Sequence, residues 1–130
     1  FRALKLWFVI RSYGVQGIQR VVRRHIELAQ AVRQWVEATP TFQILAPTPL
    51  NTVCFRCVPD PKATLDDINV LNERLLENVN RSGKAYFTHT KLSGMYAIRF
   101  VVGQTYTDRE HVEAGWTLLL DTAQALAQQQ

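Results

Sequence analysis

Apolar residues in this chain recur at three- and four-residue steps in some stretches and at two-residue steps in others, and the changes of period mark out its elements. Val15, Ile18, Val22, Ala29, Val32 and Val36 form one stripe, with Arg20, Arg23, Glu27, Arg33 and Glu37 off it, which predicts a long amphipathic helix. Thr39-Pro40 ends that helix, because the residue before a proline is driven out of the α region. Ahead of Gly14, nine of the thirteen residues are apolar and surround the whole circumference. A helix of that kind needs cover on several sides, more than one small domain supplies. The run from Leu6 to Ile10 is too short to cross a bilayer and has no signal-peptide cleavage site, so no membrane partner is expected. The segment predicts a piece of a larger protein.

Alternation with a period of two follows. Phe42 to Leu45 and Asn51 to Val58 read as strands separated by Pro47 and Pro49, the second with Val53, Phe55 and Cys57 on one face. Thr64 followed by Asp66 and Asp67 predicts a capping box and an acidic first turn. The helix it opens buries Ile68, Leu71, Leu75 and Val79 and stops at Gly83. Ala85 to Thr90 and Met95 to Val102 alternate around KLSG and predict a hairpin. In the second of these strands Tyr96, Ile98, Phe100 and Val102 share the core face, while Met95, Ala97, Arg99 and Val101 face away. Thr107 and Glu110 predict the capping box of a last helix whose buried stripe is Val112, Trp116, Leu119, Ala123 and Leu126, and the polar end from Ala127 to Gln130 is expected to fray.

The strands outnumber the crossovers that a parallel sheet needs. The expected fold is therefore α+β, a mainly antiparallel sheet of about four strands with helices on one face. Its other face, with Arg99, suits contact with another domain. Residues 1–38 form a helical lead-in and 39–130 the sheet layer of a single domain, a size consistent with 130 residues at 47% hydrophobic content.

Charge changes this picture little. The net charge of +4 comes from residues 1–26, which hold six cations and no acid, whereas the rest holds nine cations against eleven acids. No nucleic-acid signature accompanies the basic helices, so no nucleic-acid partner is expected. Cys54 and Cys57 have C-x-x-C spacing, but on a strand an offset of three puts them on opposite faces, roughly 10 Å apart and beyond disulfide reach. They read as two reduced, buried thiols of a reducing compartment, the cytoplasm. His25 lies on the helical stripe and reads as a core or boundary histidine. No metal site is expected.

Two stretches carry a resemblance. FRALKLWFVIRSYG, running on into GVQGIQRVVRRHIELA, is similar to the start of the small C-terminal domain of the group II, aromatic-L-amino-acid decarboxylases. GKAYFTHTKLSGMYAIRFVVGQTYTDREHVEAGW resembles the last hairpin and helix of the same domain, nearest to the plant-type tyrosine and tryptophan decarboxylases. The resemblance implies a fold-type I, pyridoxal-phosphate-dependent homodimer that converts an aromatic amino acid to its amine and carbon dioxide. It also implies that the cofactor is held by a large domain outside this sequence. Lys5, Lys62, Lys84 and Lys91 do not match the family's cofactor lysine, so no catalytic, cofactor-binding or metal residue is assigned and the chain alone is expected to be inactive.

Arg99, in YAIRF, matches the position of a small-domain arginine that binds the substrate carboxylate in related enzymes. It is the first candidate substrate contact, and an interdomain ion pair is the other reading. His89, in THT, is the second candidate, against a structural histidine at a domain boundary. The resemblance leaves the amino acid unspecified and leaves oxidative, aldehyde-forming chemistry open. The rival to an enzyme part is a stand-alone module that binds a ligand or protein on its open sheet face; it would not expose so apolar a first helix.

Overall fold

The computed structural model describes residues 1–128. Three helices and four strands follow one another as α1 (Ala3–Glu37), β1 (Phe42–Ile44), β2 (Thr52–Cys57), α2 (Leu65–Arg81), β3 (Thr88–Leu92), β4 (Met95–Val101) and α3 (Arg109–Ala127). The four strands make one antiparallel sheet in the order β1-β2-β4-β3, the α+β layer that the alternation predicts. Of the end expected to fray, Ala127 is still helical and Gln128 caps α3, and Gln129 and Gln130 lie outside the described residues.

α1 is two helices joined at Gly14, where φ 65° and ψ 166° break the helical path. Residues with a Cβ essentially never take that conformation, so glycine here is a conformational requirement. Beyond the bend, only part of the predicted stripe is covered. Ala29, Val32 and Val36 are buried, with Leu28 beside them, whereas Val15 and Val22 are exposed. His25 itself is buried, with Nε2 3.1 Å from the Gln104 carbonyl.

The core lies between the sheet and the helices. Val53, Phe55 and Cys57 of β2 and Tyr96, Ile98 and Phe100 of β4 pack with Leu71, Leu75 and Val79 of α2 and with Val112, Trp116 and Leu119 of α3. Phe42, Phe55 and Trp116 meet edge to face at 5.1 to 5.9 Å between ring centroids, the arrangement that aromatic quadrupoles favour.

Three asparagines of α2 hold it to the strands by pairing with backbone groups. Asn72 accepts from Cys57 N–H at 2.7 Å and donates to Cys57 C=O at 2.8 Å. Asn80 treats Phe87 the same way, and Asn69 accepts from Tyr96 N–H while donating to Gly94 C=O. Each amide offers the donor and acceptor of a strand neighbour, so ends of the sheet are satisfied by a helix.

This pairing corrects the hairpin. The strand expected from Ala85 begins only at Thr88, because Phe87 is bonded to Asn80 and is drawn toward α2. It continues through Lys91 and Leu92, which the sequence places in the turn. The turn is the two residues Ser93 and Gly94, both at positive φ (50° and 81°), the handedness that matches strand twist. A second correction concerns α3. Its cap is Asp108 with His111, one residue beyond Thr107 and Glu110. A carboxylate is the stronger acceptor at a helix N-terminus, and His111 Nδ1 lies 2.6 Å from Asp108 Oδ1. The interaction holds the Asp108 carboxyl below its usual range, chiefly through the His111 backbone N–H. The Thr64 and Asp67 box of α2 is present as expected.

Candidate functional site, the open sheet face

Strand alternation decides which side chains can meet. In the register of the sheet, Cys54 of β2, Arg99 of β4 and Thr88 of β3 stand in one row across the face that no helix covers. Arg56 lies two residues from Cys54 on the same face, beside Gln43 of β1, and its Nε donates to Gln43 Oε1 at 2.9 Å. Continuing the register from Phe55 and Ile98 puts Arg56 next to Ala97 and diagonal to Arg99. Both arginines are half-buried. Neither takes part in an ion pair among the described residues, and the strands place no acidic residue on this face.

Arg99 thus stands where the sequence put it, turned from the core, with a guanidinium whose flat fork suits a carboxylate. His89 does not join it. His89 pairs with Ile98, which puts it on the helix side of the sheet, where its exposed ring stacks on Tyr96 at 4.7 Å and 11°. Burial, followed by the charges of Glu73 and Glu77, pushes the Tyr96 hydroxyl up. The two candidate residues therefore occupy opposite faces.

The cysteines are both free and, as expected, on opposite faces, but only Cys57 is buried. Cys54 is half-buried on the open face because no helix covers it. Burial pushes the Cys57 thiol up to about 11. Burial also raises Cys54, against a smaller pull downward from the Arg99 charge beside it. The thiolate is the species that alkylates, so iodoacetamide at pH 8 is expected to label Cys54 and to leave Cys57 until the chain is unfolded. Equal rates at the two sites by peptide mass mapping would show that the core is not closed around Cys57.

Arg56 escaped the sequence reading, as did Asn72. The alternation of NTVCFRCV does place Arg56 opposite the core, but only the pairing of β2 with β4 brings it beside Arg99. The described residues contain no group of three or more metal-ligating side chains, and none of their helices is long and apolar enough to cross a membrane.

Comparison with known proteins decides the kinship. Residues 1–58 match the model of the pyridoxal-dependent decarboxylase conserved domain. Tyrosine decarboxylase 4 of Petroselinum crispum is 46% identical over 129 residues, covering 97% of this chain and 25% of the relative. The chain is thus similar to a decarboxylase of this kind over nearly its whole length. Phenylacetaldehyde synthase of a Rosa hybrid cultivar is 41% identical over 132 residues, again 97% of this chain and 26% of the relative. Among solved structures, Oryza sativa TDC with PLP and tryptamine superposes with a TM-score of 0.89 at 34% identity, over 96% of this chain and 27% of that one. The chain thus spans about a quarter of the length of the relatives it matches, and its fold is the one found in that part of the rice structure.

Proposed function

We propose that the chain is the small C-terminal domain of a pyridoxal-phosphate-dependent decarboxylase that converts an aromatic L-amino acid to its amine and carbon dioxide. The observation that carries this reading is the likeness to tyrosine decarboxylase over 97% of the chain. The structure adds support. Leu4, Trp7, Phe8 and Ile10 are each about half exposed, an apolar surface too large for a self-sufficient small domain and suited to packing on the rest of the enzyme and its second subunit. Arg99 is the residue offered to the substrate carboxylate, and His89, on the other face, is retained only as a boundary residue. Two free cysteines fit an enzyme of the cytoplasm.

The chain's own residues do not fit pyridoxal phosphate. Lys5, Lys62, Lys84 and Lys91 are all exposed, so none stands in an enclosed site of the kind that buries a cofactor. The open face also lacks an acid that could pair with a ring nitrogen. The cofactor is therefore assigned to the remainder of the polypeptide, and this chain is given a positioning role. Its residues supply a cationic face that can orient a carboxylate while the apolar arm fixes the face in place.

The test compares the chain with its complete parent. The parent, supplied with pyridoxal phosphate, is expected to release amine and carbon dioxide from tyrosine, tryptophan or dopa. The 130-residue chain is expected to release neither and to show no stoichiometric visible band that survives gel filtration. Aldehyde and hydrogen peroxide from the parent would overturn the decarboxylase assignment in favour of the oxidative chemistry. A stable band in the chain alone would overturn its assignment as a part without cofactor.

A further inference from the structure

The described residues leave Arg56 unfinished. Its Nε is paired with Gln43, but its Nη1 is fully covered by the chain and has no hydrogen-bond partner. That nitrogen has lost water without gaining an acceptor, while the side chain as a whole is only half-buried and keeps its charge, because arginine does not deprotonate in proteins. Its diagonal neighbour Arg99 is also without a carboxylate. Diagonal positions on an antiparallel pair lie about 7 to 8 Å apart, so the face concentrates two like charges and no counter-charge. The part of the half-buried Arg56 guanidinium that stays accessible suits an anion with oxygens in one plane, the shape that a guanidinium fork binds best.

We infer that Arg56 is an interface anchor, taking the carboxylate of an aspartate or glutamate from the part of the parent enzyme outside these 130 residues. The inference rests on the reading of this chain as one part of a longer enzyme. It assigns a role to a residue that the proposed reaction does not use. A protein carboxylate is favoured over a substrate carboxylate because Arg56 is tied to the β1 edge by Gln43, while Arg99 occupies the central row. It is also favoured by length, since the relatives are about four times as long as the chain. On this arrangement, the acid on Arg56 also offsets the like charge beside Arg99 and leaves Arg99 free for a second carboxylate.

The experiment uses the complete parent enzyme. Its unmodified form is first assayed for decarboxylation, which tests the functional reading separately. The Arg56→Lys variant is then treated with a water-soluble carbodiimide, which joins an amine directly to a carboxylate in contact with it, and the linked peptides are mapped by mass spectrometry. The expected result is one dominant link from position 56 to an aspartate or glutamate outside the 130 residues. Links only to acids within the 130 residues, or none at position 56, overturn the inference. In case the lysine variant does not fold, p-benzoylphenylalanine is placed at the exposed Gln43 with Arg56 intact. Photolysis is then expected to capture a segment with an acidic residue from outside the chain, whereas adducts confined to residues 1–130, or no adduct, overturn the inference. Because the mapping reads contact and not turnover, an inactive parent with the expected link would refute the function and leave the interface standing.

Discussion

Arg99→Met in the complete parent enzyme is expected to lower kcat/KM for the amino acid by about 10²-fold, which corresponds to about 2.7 kcal/mol of transition-state stabilisation, with no change in melting temperature. The side chain stands on the uncovered face of β4, has no ion pair among the described residues and contributes nothing to the core, so its removal leaves the fold intact. Its value lies in orientation, because the bond that breaks must be held perpendicular to the plane of the group that receives its electrons. There is an upper limit to that value. Carbon dioxide departs uncharged, and a carboxylate held more tightly before reaction than during it would raise the barrier. The amine product has lost the carboxylate, so its inhibition constant should stay within a factor of two of the unmodified enzyme's. A variant with normal kcat/KM and a lowered melting temperature would identify Arg99 as an interdomain ion-pair residue instead.

Asn72→Leu is expected to destabilise the chain by about 3 kcal/mol, through two buried backbone groups that lose their partners at about 1 to 3 kcal/mol each. Asn72 is fully buried, and its amide holds both the N–H and the C=O of Cys57 as well as the Ile68 carbonyl. A leucine fills the space and satisfies none of them. Asn72→Asp separates this from a packing effect. The carboxylate still accepts from Cys57 N–H but has no proton to donate, and burial without a cation raises its folded pKa above the unfolded value. Protonation then restores the donor, so the aspartate variant should be most native-like at acidic pH and lose stability as pH rises through the raised folded pKa. Thermal unfolding followed by circular dichroism between pH 4 and 8 checks both. A loss under about 1 kcal/mol for Asn72→Leu, or no pH trend for Asn72→Asp, would show that α2 does not depend on this pairing.

These two residues also show what the linear pattern could and could not reveal. Arg99 was legible because a strand has only two faces. Once Tyr96, Ile98 and Phe100 claim the core, the side of Arg99 follows. Asn72 was not, since it sits one step from Leu71 on the buried side of α2, and a polar residue there is explained only by a strand end that arrives from elsewhere. The same long-range pairing hid Arg56 and displaced the expected start of β3, where Asn80 captures Phe87 from eight residues upstream of Thr88. Local signals located the Thr64 cap correctly. At α3 they missed the cap by one residue, where two adjacent side chains, Thr107 and Asp108, both offer an acceptor.

The strand order has a kinetic consequence. β1 with β2 and β3 with β4 join neighbours in sequence, whereas the central β2–β4 seam joins Val53 to Phe100 across an intervening helix and strand. Closing that span costs chain entropy before any ladder bond repays it, so the two outer pairings should form early and the seam should limit the folding rate. Until it closes, the inner edge of β2 presents Val53 and Phe55 with unpaired backbone, a template for strands of other copies. During synthesis β2 is complete some forty residues before β4 is made, which makes this interval the point at which the chain is most exposed to misassembly and at which a holding chaperone would act.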